Sequence, residues 1–312
     1  AIIQKPYDAV IPIEQIKFDP KKNKYNYIIV DRRINKNDYI RFKGSDFKKR
    51  EKVINKGELI EPQHILALKT LGIKKILVKK KPSIVFYTTG NEISNKENIP
   101  KWKVRNSNGF YINSFLNSLP VRFKQKKILR DHDSLKFKKE ILTNLKSKNE
   151  IILTSGAVSA GKYDFIPSII KQFKLKYFFK GVSIRPGKPI MFAKFSKNKA
   201  FFGLPGNPIS SAACIKFFVL PFLYYSIGMR KNKPIIARLK NSFVKKKTFT
   251  RFTKGKLTFS TKGKAEFEVF KGQESFRIKP FTKSNAWGLF PSGKDKFKKN
   301  DYIECYTLTG IN

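Results

Sequence analysis

Between residues 7 and 40, short apolar runs (YDAVIPIE, YNYIIVDR, DYIRF) alternate with polar residues. Pro20 and Asn/Lys turns break them, which predicts a small β-rich unit. The next stretch, GELIEPQHILALKTLGIKKILV, shifts to a helical period. Ile65, Leu66, Leu68 and Leu71 form its apolar face, Pro62 suits the first turn and Gly72 the C-terminal cap, and a strand is expected at 75–79. From residue 82 strands alternate with helices. Ser83–Thr88, Val121–Leu129, Ile151–Thr154 and Lys199–Phe202 read as strands, and 107–118, 134–147, 165–172 and 208–227 as helices. That order means βαβ units and a mostly parallel sheet. The run SSAACIKFFVLPFLYYSIG (210–228) approaches the composition of a membrane span. Lys216 and Pro221 interrupt it, and a buried helix covering the sheet is expected instead. After Gly228, short alternating runs (KLTFSTKGKAEFEVF, SFRIKPF, YIECYTL) predict a second β module over 234–310. The divisions fall at 1–47, 48–81, 82–229 and 230–312.

In a parallel α/β sheet the ligand lies beyond the carboxyl ends of the strands, so the residues after each strand carry the chemical argument. TTGNE (88–92) either caps a helix or holds a carboxylate over a ligand or Mg2+. RDHD (130–133) offers Asp131 and Asp133, whose structural use is to cap the helix near Ser134. In TSGAVSAGKYD (154–164), Ser155, Gly156, Ser159 and Gly161 are small enough for backbone N–H groups to approach an anion, and the following helix adds its positive end. The Walker spacing is absent. Asp164 closes this loop as a cap or a metal-facing carboxylate. GVSIRPGKP (181–189) places Arg185 and Lys188 beside a Pro-Gly turn, as a solvated pair or as a rigid pair of cations for an oxyanion. GLPGNPIS (203–210) stiffens a strand-to-helix turn with two prolines. As a set, these loops fit a phosphorylated small molecule with a divalent cation.

Charge alters this picture little. The 312 residues carry 67 Lys and Arg against 22 Asp and Glu, a net +45, which raises nucleic acid as a partner. The lysines are spread over nearly every segment rather than clustered, and Arg is scarce, so the excess reads as a compositional bias. Cys214 and Cys305 cannot form a disulfide framework, and His64 and His132 supply no zinc set. A reducing, cytoplasmic compartment is expected. No signal-peptide pattern opens the chain, and without an initiator Met it reads as the remainder of a longer protein.

TTGNE, TSGAVSAGKYD, RPGKP and GLPGNPIS stand in the order and spacing of the MoeA/gephyrin E-domain family of molybdenum insertases. YDAVIPIE resembles that family's ADAVVPQE segment, RFKGSD its R..GED, and 57–78 its helix and strand in the dimer scaffold. The resemblance covers almost the whole chain and is weakest over 234–312. It implies an α/β multidomain fold: a central, mostly parallel molybdopterin-binding sheet domain flanked by a β-rich N-terminal unit and a C-terminal β-barrel-like module. It also implies a homodimeric enzyme that transfers molybdate to adenylylated molybdopterin with Mg2+-dependent release of AMP, the last step of molybdenum cofactor biosynthesis.

By position, Asp46, Glu92, Asp131 and Asp164 match the family's catalytic acids, and Glu92, Asp131 and Asp164 its Mg2+ ligands. Thr89, Gly90, Ser155, Gly156, Ser159 and Gly161 match the phosphate cradle. Arg185 and Lys188 match its basic pair, and Pro205, Gly206, Asn207 and Pro208 the pocket turn. Contact with the adenylyltransferase is implied, membrane is not, and nucleic acid is disfavoured. Three departures stand out: Ala157 and Ala160 stand where the family's SGGVSVG has its second Gly and the Val of its Val-Gly pair, a loss of freedom at one backbone position, and Asn91 stands where the family has Asp. The family's N-terminal DGYA segment is absent. Two alternatives fit less well: a molybdopterin adenylyltransferase, which lacks the flanking β modules, and a basic scaffold without catalysis.

Overall fold

The computed structural model describes residues 3–19, 27–148, 150–158, 165–197, 199–229 and 233–308. Two compact units emerge, Ala1–Asn55 with Ile60–Lys74, and Lys56–Leu59 with Lys75–Asn312.

In the first unit, β1 (Lys17–Asp19) and β2 (Tyr27–Ile29) form a three-pair antiparallel ladder, far less sheet than the alternation of apolar runs predicts. Its turns are set instead by local ion pairs. Asp38 accepts from Arg32 at 2.6 Å and from the Asn35 N–H at 2.9 Å; the Arg32 bond, then the backbone bond, lower its carboxyl below the ordinary range. Helix α1 (Pro62–Thr70) follows. His64 Nδ1 accepts from the Glu61 N–H at its start, and the Gly72 and Ile73 N–H groups close its end on Lys69 and Leu68, a Schellman cap with Gly72 left-handed at φ 71°. Of the expected apolar face only Leu68 is buried; Leu66 is 70% exposed.

In the second unit the strand expected at 75–79 does not form. Lysines flank it on both sides, no strand pairs with it among the described residues, and Leu77 is fully exposed. The sheet begins at β3 (Ser83–Thr88) and adds β4 (Arg122–Gln125), β5 (Ile151–Ser155), β6 (Tyr177–Lys180), β8 (Met191–Ser196) and β9 (Lys199–Leu204), in spatial order β4-β3-β5-β9-β8-β6. The first four are parallel; β8 runs antiparallel to both its neighbours, β9 and β6, so β6 points the same way as the first four. β4 is shorter than the expected Val121–Leu129, whose far end keeps a single bridge from Leu129 to Thr89.

Both faces are covered, which is why the central strands read as continuous apolar runs. Ile84 and Phe86 face α2 (Ser107–Asn117) and α5 (Pro208–Ile227). Val85 and Tyr87 face α3 (Ser134–Lys146) and α4 (Ile166–Lys171). Long and apolar enough to cross a membrane, α5 is mostly buried against the sheet.

Five strands, β10 (Ile235–Leu239), β11 (Thr250–Phe259), β12 (Ala265–Val269), β13 (Ala286–Phe290) and β14 (Tyr302–Thr307), close into a barrel in the order β12-β10-β14-β13-β11-β12. Closure removes free edges. One strand from the sheet half joins it: β7 (Ile184–Arg185) pairs in parallel with Thr250 and Arg251 of β11.

Helix α5 widens to a π turn at Ile215–Val219. There Lys216, 5% exposed, shares a small apolar recess with Phe252 and Tyr306. Burial pushes its ammonium down to about 8. The folded value lies below the unfolded one, so the charged form opposes folding at neutral pH, and that cost fades as pH rises through 8. Lys216→Met is expected to be more stable relative to the parent chain at about pH 7 than at about pH 9. Thermal unfolding at both pH values checks this; a difference independent of pH contradicts it.

Candidate active site

The loops after β3, β4, β5, β7 and β9 meet around a cavity of about 1120 Å³. The barrel adds Arg251 from β11 and the segment Gln273–Phe276. The position follows from chain direction: parallel strands deliver their carboxyl ends to one edge of the sheet.

The floor is built on Ser155 and Gly156. Thr89 donates both its N–H and its hydroxyl to the Ser155 carbonyl, each at 3.0 Å, which locks the end of β3 to that of β5. Gly156 follows at φ 98°. A Cβ there would stand 2.6 Å from Thr89 Oγ1 and 2.8 Å from the Thr89 carbonyl oxygen, so only glycine fits. Ala157 is left-handed at φ 52°, a conformation costing a non-glycine residue about 1–2 kcal/mol. The turn is thus kept at a cost where the family's small flexible residue is missing. Asn108, buried near the start of α2, donates to Ser155 Oγ at 2.8 Å and to the Gly206 carbonyl at 2.7 Å. Ser211 donates to the Pro205 carbonyl at 2.5 Å. This buried network ties the Pro205–Pro208 turn to the floor.

On the acidic side, Glu92 and Asp131 line the cavity. The Glu92 carboxylate folds over Gly90, where a Cβ would approach Oε2 to 2.5 Å. Arg130 holds this loop. One guanidinium nitrogen donates to the carbonyls of Gly90, Asn91 and Ile93 at 3.0, 3.2 and 2.9 Å. Asn91 Oδ1 accepts from the Asp131 N–H at 3.2 Å, so the amide retains the acceptor an aspartate would supply. Asp133 points elsewhere, accepting from the Arg130 N–H at 2.8 Å. That bond first, and Lys136 after it, hold its carboxyl below the ordinary range.

On the basic side, Arg185 lies 4.4 Å from the centroid of Phe249, and Lys188 shares the Pro-Gly turn. Arg251 donates to the Gln273 carbonyl at 2.7 Å. Burial, then the neighbouring charge of Arg185, lowers its guanidinium from the ordinary value. A pair of cations held close together in a concavity is stabilised by an anion.

The cavity brings together Thr89, Gly90, Glu92, Asp131, Ser155, Gly156, Arg185, Lys188 and the turn Pro205–Pro208. Ser159, Gly161, Asp164 and Ala160 lie outside the described residues. Asp46 belongs to the first unit, where it is ion-paired with Arg41. Asn108, Arg130, Arg251 and Gln273 were not singled out by the sequence. Arg130 stands inside the quoted RDHD, whereas Arg251 and Gln273 fall in the module with the weakest motif signal.

No group of three or more Asp, Glu, His or Cys side chains that could hold a metal ion exists among the described residues. Two carboxylates lining a cavity that also carries cations nonetheless suit Mg2+, which binds through one or two carboxylates and the substrate's own phosphates.

Residues 85–225 match the family model described as a probable molybdopterin binding domain, and residues 1–72 that of the MoeA N-terminal region, domains I and II. The molybdopterin molybdenumtransferase of Staphylococcus aureus (strain Mu50 / ATCC 700699) is 30% identical over 301 residues, 95% of this chain and 70% of that protein. That of Staphylococcus epidermidis (strain ATCC 12228 / FDA PCI 1200) is 29% identical over 270 residues, 85% of this chain and 63% of that protein. The crystal structure of a molybdopterin biosynthesis MoeA protein from Pyrococcus horikoshii OT3 superposes with a TM-score of 0.70 at 25% identity, covering 96% of this chain and 71% of that one. A molybdenum cofactor biosynthesis protein from Pyrococcus furiosus shares the fold at a TM-score of 0.61 and 20% identity, over 84% and 82% of the two chains. By sequence over nearly its whole length and by fold, the chain belongs to the molybdopterin molybdenumtransferase (MoeA) family of molybdenum cofactor biosynthesis enzymes.

Proposed function

We propose that the chain is a molybdenum insertase, transferring molybdate to adenylylated molybdopterin with Mg2+-dependent release of AMP. The observation that carries this reading is the single cavity in which the carboxylates of Glu92 and Asp131 and the cations Arg185, Lys188 and Arg251 meet over a glycine floor. Mg2+ bound by Glu92, Asp131 and substrate phosphates would neutralise the phosphoanhydride. Ser155 and Gly156 bring backbone close to the phosphates, and Arg185, Lys188 and Arg251 stabilise negative charge on phosphate and molybdate oxygens. The turn Pro205–Pro208, fixed by Asn108 and Ser211, closes one wall against the substrate. The barrel's contribution of Arg251 and Gln273–Phe276 supports an insertase rather than an adenylyltransferase built from the sheet domain alone.

Homodimerisation, which the family resemblance implies, belongs to the same reading. The buried free thiols Cys214 and Cys305 fit a cytoplasmic, reducing compartment.

Calorimetric titration with pyrophosphate and Mg2+ tests the site. Lys188→Ala should bind about tenfold more weakly, the loss of one charge-assisted contact, with unchanged unfolding temperature because Lys188 is exposed. Parent-like affinity in the variant would overturn the anion assignment.

A further inference from the structure

We propose that Phe276 is a stacking platform for a flat heteroaromatic ring of the phosphorylated ligand, an inference that rests on the anion-cavity reading above. Phe276 lines the cavity, yet its side chain is 67% exposed. The Arg277 guanidinium lies 5.9 Å from the ring centroid and is itself held by Glu274 at 3.1 Å.

The segment that carries the ring is fastened at several points. The Gln273 amide pairs with the Lys254 backbone in both directions, accepting at 2.9 Å and donating at 2.8 Å. Lys254, only 1% exposed, sends its ammonium to the carbonyls of Glu274 and Arg277 at 3.0 and 2.9 Å. Arg251 holds the Gln273 carbonyl, and the Ile209 N–H reaches that of Ser275 at 3.4 Å.

A large apolar ring left in water on a fixed segment forgoes the burial that usually determines where phenylalanine sits. Beside cations that select phosphate, that placement gives the second half of a nucleotide-type contact: a π face against a π face, with its orientation already set. The chemical class is a phosphate ester bearing a planar heterocycle, and the ring is either a purine or a pterin.

The experiment titrates the full chain with ribose 5-phosphate, AMP and neopterin monophosphate, using Phe276→Ala, Phe276→Tyr and Lys188→Ala. In the parent, at least one ring-bearing probe should bind more tightly than ribose 5-phosphate. Phe276→Ala should lose that margin, about tenfold, leave ribose 5-phosphate unchanged, and be rescued by Phe276→Tyr. Whichever probe shows the loss identifies the ring. Ring-bearing probes bound by Phe276→Ala as tightly as by the parent overturn the stacking role. If ribose 5-phosphate binding is still lost in Lys188→Ala, the anion cavity survives that result. Failure of every probe to bind the parent removes both readings.

Discussion

Gly156→Ala is expected to lower pyrophosphate affinity and AMP release by about 10²–10³-fold, the range seen when a single oxyanion donor is removed. Two costs coincide. At φ 98° the alanine backbone is strained, by about 1–3 kcal/mol. Its Cβ also lies within 2.6–2.8 Å of the Thr89 hydroxyl and carbonyl oxygens. Thr89 cannot withdraw freely, because its N–H and hydroxyl both bind the Ser155 carbonyl. Relief therefore means parting the ends of β3 and β5, which carry the acidic and the phosphate-facing loops. The unfolding temperature should fall together with anion affinity. A variant that is destabilised but binds pyrophosphate like the parent would refute the assignment of this turn to the cradle.

Arg130→Ala is the second large effect expected. Hydrogen bonds from a charged donor are worth about 1.5–3 kcal/mol, and here one guanidinium serves three carbonyls in a single loop. Without it the segment Gly90–Ile93 loses its internal support, and Glu92 loses its fixed approach to the cavity. Displacement by about 1 Å is enough for an approximately 10²-fold loss of turnover. Since Arg130 itself is not among the cavity-lining residues, it acts as a positioning residue. Its signature is a raised Mg2+ requirement for AMP release with little change in pyrophosphate affinity measured without metal. Arg130→Lys, which keeps a cation for the carbonyls, should recover part of the activity. Equal loss in the lysine and alanine variants would argue against the clamp.

The sheet domain was readable where local chemistry dictates it. Continuous apolar runs marked β3, β5 and β9, and glycines and prolines punctuated the loops that now surround the cavity. β6 and β8 do not read as strands from the sequence, since their lysines interrupt the apolar pattern of YFFK and MFAKFS; pairing of β8 with β9, and of β6 with β8, makes them strands. The reverse holds at 75–79, where KKILVKKK has strand composition but no partner strand among the described residues. Asn108 and Arg251 escaped because their value is tertiary. An asparagine in a helix's first turn and an arginine in a barrel strand are ordinary until the fold brings Ser155, Gly206 and Gln273 beside them. Asn91 shows the converse: it departs from the family's acid, yet its amide oxygen accepts from the Asp131 backbone N–H.

The strand β7 belongs to the sheet half by sequence and to the barrel by its hydrogen bonds. A gene fragment ending near residue 229 would encode the whole α/β sheet and every loop motif, yet it would leave Ile184 and Arg185 without their partner strand and the RPGKP turn without its anchor. For recombination this ties the basic turn to the barrel: exchanging the barrel for that of a relative also resets the register of that turn. Chimeras should therefore tolerate a junction that moves 181–189 together with the barrel better than one placed at the apparent domain boundary.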